Sequence, residues 1–88
     1  MASLSEQLES ELKIWRRKTY LELLAIEYPY VYERGTPGEA DSYEVELVLL
    51  ERNDQRVHVS VAVSNRGLSA FFPKSGSFLA YADNRPSD

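Results

Sequence analysis

The stretch Val57-His58-Val59-Ser60-Val61-Ala62-Val63-Ser64 decides the fold. Its valines recur at every second position, which in a β-strand sends all of them to one face and His58, Ser60, Ala62 and Ser64 to the other. A strand with one apolar face needs paired neighbours for its backbone and a covering element for its side chains.

The neighbours are legible on both sides. Arg52-Asn53-Asp54-Gln55 is turn chemistry, and Tyr43 to Glu51 before it reads as a strand. Further upstream, Tyr28, Tyr30 and Tyr32 alternate with Pro29, Val31 and Glu33 in a run from Tyr28 to Arg34, and the early proline suits an edge strand. Gly35-Thr36-Pro37-Gly38 supplies the loop between these runs. Downstream, Asn65-Arg66-Gly67 suits a type I turn closed by a glycine bulge, and Leu68 to Pro73 reads as a fourth strand. Lys74 to Ser77 then reads as a loop, and Phe78 to Tyr81 as a last turn or short strand. Connections this short predict an antiparallel meander in the order 1-2-3-4.

The cover comes from the N-terminal third. Ser3-Leu4-Ser5-Glu6 fits the S-x-x-E capping box, in which the serine hydroxyl and the glutamate each satisfy an orphan amide. From there Leu4, Leu8, Leu12, Trp15, Thr19, Leu23 and Ile26 fall within about 100° of arc at helical spacing. Glu9 precedes Lys13 by four residues, the favourable order for a helical ion pair. The pattern widens after Thr19, where Tyr20, Leu21, Leu24 and Ala25 lie off the stripe. One helix to about residue 26 is expected, ended by Pro29, which forces Tyr28 into extended geometry. The predicted fold is α+β, an N-terminal helix packed on a four-stranded antiparallel β-meander.

The chain's 88 residues suit a single domain over residues 1–82, with residues 83–88 as a frayed tail. It contains no cysteine, which removes disulfides, thiolate catalysis, zinc ribbons and iron–sulfur clusters. Met1 to Glu6 has neither a basic nor an apolar signal region, and the apolar-rich stretch from Tyr20 to Val31 is broken by Glu22, Glu27 and Pro29. A cytoplasmic protein without a membrane span is the expectation. The net charge of −4 is unevenly spread, because residues 27–51 hold seven acids against Arg34 alone. That block disfavours phosphate backbones and favours a basic partner.

Catalytic and cofactor patterns are thin. His58 is the only histidine, and it shares a strand face with Ser60, with Glu44 or Glu46 available from the neighbouring strand. Ser60 and His58 would stand about 7 Å apart with parallel side chains, poor geometry for proton transfer, and no nucleophile elbow accompanies them. One histidine without cysteine makes no metal set, and the acids do not follow an EF-hand loop. Pro73-Lys74-Ser75-Gly76-Ser77 lacks phosphate-loop spacing, and no G-x-G-x-x-G occurs. No cofactor is expected. Trp15-Arg16-Arg17-Lys18 is the one basic cluster, but helical spacing spreads its cations over about 200° while Trp15 lies on the apolar stripe.

The sheet face opposite the helix is more informative. It would carry His58 and Ser60 with Ala62 and Ser64, small enough for a partner to approach closely, beside Glu44, Glu46, Val48 and Leu50. The edge tyrosines Tyr28, Tyr30 and Tyr32, with Glu33, would extend that surface, as would Phe71 or Phe72. Exposed aromatic and apolar patches mark protein contacts, unless Phe78 to Tyr81 folds over this face. The expectation is a small non-enzymatic protein-binding module of regulator, adaptor, inhibitor or immunity type, and a homodimer. Its contact residues would be Tyr30, Tyr32, Glu33, Glu44, Glu46, His58 and Ser60. A nucleic-acid accessory protein using Arg16, Arg17 and Lys18 is the alternative, and a hydrolase centred on His58 a distant one.

Overall fold

The computed structural model describes residues 3–36, 42–64 and 74–83. Two helices, α1 (Leu4–Arg16) and α2 (Tyr20–Leu24), precede four strands, β1 (Tyr30–Arg34), β2 (Tyr43–Arg52), β3 (Arg56–Ser64) and β4 (Lys74–Tyr81). The strands form one antiparallel sheet in the order β1-β2-β3-β4. The α+β meander with a helical cover is therefore as expected.

The valine row carries the core. Val57, Val59, Val61 and Val63 are fully buried together with Val45, Leu47 and Leu23, and Phe78 and Ala80 close the far side. Helix α1 lies over β3 and β4, and α2 over β3. Leu4, Leu8, Leu12 and Trp15 pack their stripe against this core.

The single long helix is corrected to two. Helix α1 stops at Arg16, and Thr19 starts a new one with a complete capping box: Glu22 N–H donates to Thr19 Oγ1 at 3.1 Å, and Thr19 N–H to Glu22 Oε1 at 2.9 Å. A threonine inside a stripe offers the backbone a local alternative to continued helix, and Thr19-Tyr20-Leu21-Glu22 supplies the reciprocal glutamate. The new axis lets Leu23 reach the core, which is why the helical pattern widened there.

The C-terminal strand is corrected as well. Lys74 to Ser77, expected as a loop, forms the first half of β4, whose register runs from Val63 opposite Lys74 to Arg56 opposite Tyr81. Phe78 and Ala80 face the core from this strand, so the segment extends the sheet and does not fold over its outer face. Local turn propensity at Ser75-Gly76-Ser77 yields to pairing with β3, because Gly76 faces α1, where a larger residue would meet Leu12. The strand expected at Leu68 to Pro73, the Asn65-Arg66-Gly67 turn, and the tail beyond Asp83 lie outside the described residues.

Candidate functional site

A buried carboxylate organises one end of the molecule. Glu11 is 1% exposed although it sits on α1, and three residues from the sheet converge on it. Tyr32 donates its hydroxyl to Oε1, Tyr43 donates to Oε2 at 2.7 Å, and the Arg34 Nε–H donates to Oε2 at 3.0 Å. Burial works against the charge, but these donors and the guanidinium outweigh it and hold the carboxyl below the usual carboxylate range. The same environment raises both phenols, Tyr32 to about 12, chiefly through burial and then through the bond to Glu11. An ionised, fully satisfied carboxylate of this kind fastens α1 to β1 and β2. It offers no group free for chemistry.

The cluster continues outward through Trp15. Its indole N–H donates to the Tyr32 hydroxyl at 2.8 Å, so Tyr32 relays the tryptophan onto Glu11. Tyr30 stands against the indole with ring centroids 6.2 Å apart and planes at 75°. Beside them a groove of about 460 Å³ opens between the α1–α2 junction and β1, lined by Trp15, Lys18, Glu22, Ile26, Glu27 and Tyr30.

The tyrosines are corrected in position. Tyr30 lies opposite Leu47 and Tyr32 opposite Val45, both core residues, so they point to the helix side of the sheet. Tyr28 joins them there, packing on the core and donating its hydroxyl to the Leu23 carbonyl at 2.8 Å. The outer face instead takes the intervening residues. Val31 lies opposite Glu46, and Glu33 lies directly opposite Glu44, all four exposed. Val48 and, at a bulge, Leu50 add exposed apolar surface along the same strand. Glu39, Asp41, Phe71 and Phe72 lie outside the described residues.

His58 and Ser60 are half-buried on that outer face, as expected, but the acids are not beside them. Glu44 pairs in register with Ser64 and Glu46 with Ala62, whereas the residue opposite His58 is Glu51, after a bulge between Leu49 and Glu51. That register leaves about 13 Å of strand between Glu46 and the His58 pairing position. His58 Nε2 meets the Ser77 hydroxyl on β4 at 2.9 Å. Among the described residues, no group of three His, Asp or Glu side chains is placed to hold a metal. No helix among them is long and apolar enough to cross a membrane.

No protein-family model, curated protein or solved structure matches this chain. The geometry is thus what bears on function.

Sequence reasoning missed Glu11 as an organising residue, although a signal was present. At helical spacing Glu11 falls only about 20° beyond the edge of the stripe that begins at Leu4. An acid at the border of an apolar stripe, followed by a Tyr-x-Tyr-x-Arg run, is the trace of a carboxylate buried under phenols and a guanidinium.

Proposed function

We propose that the protein is a non-enzymatic binding module that docks a basic segment of a partner protein on the outer face of β1 and β2. The observation that carries this reading is the placement of Glu33 directly opposite Glu44, with Glu46 next along the strand. Like charges at facing sheet positions cost folding stability, so a fold that keeps them gains something elsewhere. Solubility needs acids on the surface, but it does not need them stacked in register beside exposed Val31 and Val48. Acidic side chains bordering exposed valines match a partner segment with cations flanking an apolar residue. The small residues Ser60, Ala62 and Ser64 on the adjoining strand leave room for close approach.

Self-association is the second part of the proposal, and β4 supports it. Among the described residues it is a terminal strand of the sheet, eight residues long, and Lys74 is its single charged residue. The opposite edge, β1, is five residues and carries Glu33 and Arg34. Edges are normally guarded by charge, so β4 is the one suited to pair with a second copy. Light scattering on the purified chain is expected to give a dimer, and a monomer at every concentration removes this part.

The test of the main reading is charge reversal at Glu44 and Glu46. The double variant E44K/E46K keeps the fold, because both side chains are exposed on the face away from the helices. It also relieves the clash of Glu33 with Glu44, so stability should hold or rise by a few tenths of a kcal/mol. A partner retained by the wild-type chain should be lost by the variant, with association slowed most at low salt. Equal capture and equal association rates would reduce the acids to a solubility feature.

A further inference from the structure

The groove at the α1–α2 junction is built differently from the outer sheet face and lies on the other side of the sheet. Its back wall is the Trp15 indole, which cannot turn freely, because its one polar atom is bonded to Tyr32 and through Tyr32 to Glu11. Tyr30, 42% exposed, forms a second aromatic wall nearly perpendicular to the first. Ile26 adds an apolar lining, and Glu22 and Glu27 bring two carboxylates against the single ammonium of Lys18. The Glu22 carboxylate is already fixed by the bond from the Thr19 N–H at 2.9 Å, and this bond, with the neighbouring Thr19 side chain, holds it below the usual carboxylate range and therefore charged.

The protein's own cation shows what this site attracts. Lys18 Nζ sits 6.0 Å from the centroid of the Trp15 ring, at the outer limit of cation–π attraction. The ring face is thus turned towards a position a cation can occupy, and the chain's own lysine fills it from a distance. A closer fit needs a flat cation that can lie on the indole while its edge meets a carboxylate, with an apolar stem for Ile26. Guanidinium has that shape, since it lies flat on aromatic faces and forks towards carboxylates, whereas an ammonium meets a ring only as a point charge and has no planar fork.

We propose that this groove receives an arginine side chain presented by a partner protein. The site is separate from the outer sheet face, so it stands or falls without the reading given above. The partner arginine displaces Lys18, stacks on Trp15 against Tyr30, and pairs with the carboxylates of Glu22 and Glu27. Preorganisation makes the site economical, because the indole and the Glu22 carboxylate are ordered before any ligand arrives.

Trp15 is the only tryptophan in the chain, so its fluorescence reports the site directly. The probe is the blocked tripeptide acetyl-Ala-Arg-Ala-amide, titrated at constant ionic strength, with the citrulline tripeptide as its neutral isostere and the lysine tripeptide as its ammonium counterpart. A saturable emission change with a Kd of about 1–10 mM is expected for arginine, weaker binding for lysine, and none for citrulline. The variant E22Q/E27Q should weaken arginine binding about fivefold or more, while glutamine at position 22 still accepts from the Thr19 amide and preserves the cap. Lys18→Met should tighten binding about twofold or more, because it removes the competing cation. Should E22Q/E27Q fail to fold, the citrulline comparison and Lys18→Met decide the matter in folded protein. Equal responses to arginine and citrulline, no saturation, or weaker binding by Lys18→Met would each overturn the proposal, the last by showing that Lys18 is part of the site and not a competitor for it.

Discussion

The carboxylate of Glu11 accepts the hydroxyl of Tyr32 at 2.5 Å, joining α1 to β1 across 21 residues of sequence. Arg34 and Tyr43 complete the same carboxylate, and Glu11→Gln keeps one acceptor oxygen while setting an NH2 donor against the donors that bond the other. Glu11→Gln should therefore cost about 2–3 kcal/mol of stability, as a lost charged hydrogen bond with a stranded partner does. The cost stays below that of a wholly buried pair because the Arg34 side chain is 43% exposed. Glu11→Leu should be no milder, since it fills the space and still strands both phenols. Urea unfolding checks both, and an unchanged midpoint would show that the cluster contributes nothing to stability.

Stability should fall at both ends of the pH scale, and the same cluster sets each limb. The Glu11 carboxyl is held below its ordinary 4.5, against the effect of burial, by its hydrogen bonds and by the Arg34 charge. A depressed value means that its contribution is complete above pH 4.5 and drains away as pH falls through the lower folded value. Tyr32 moves the other way, from 10.0 to about 12, through burial first and then the Glu11 bond. A raised phenol stabilises the fold fully below pH 10.0 and loses that contribution as pH climbs towards about 12. Thermal melts across pH should give a plateau between these limbs, and Glu11→Gln should flatten the acid one. An acid limb of equal slope in that variant would assign it to other carboxylates.

Gly76 reports the distance between α1 and β4. A Cβ there would lie 3.1 Å from Leu12 Cδ1 and 3.7 Å from Leu8 Cδ2. A methyl asks only that one flexible leucine end give way, so Gly76→Ala should be mild. Gly76→Val should cost about 1–3 kcal/mol by overpacking, despite the better strand propensity of valine. A valine variant as stable as the wild type would mean that α1 rides higher over β4 than its leucines indicate.

Much of the architecture was written in local pattern. The valine alternation at Val57 to Val63 and the turn at Arg52 to Gln55 hold, and Ser3 caps α1 by accepting from the Glu6 N–H. The Glu6 carboxylate meets the Ser3 hydroxyl and not an amide, so only half of the expected box forms. The Asn53 side chain accepts from the amides of Gln55 and Arg56, as its turn chemistry implied. Elsewhere local pattern misled. Thr19 continues the helical stripe by spacing although Thr19 and Glu22 form a start signal, and Ser75-Gly76-Ser77 carries turn propensity inside a strand.

The amino-acid sequence by itself determined which segments alternate, which face of the central strand is apolar, and where acidic charge concentrates along the chain. Those properties follow from side-chain spacing over a few residues, which each element expresses whatever surrounds it. The tertiary structure alone decided which way the tyrosines point, because strand parity is fixed only when the register of β1 on β2 is set. It also decided the fate of Glu11 and the facing of Glu33 with Glu44, since both depend on pairs brought together from distant parts of the chain. Burying a carboxylate is favourable only where several donors meet it at once, and no local stretch of sequence contains that meeting.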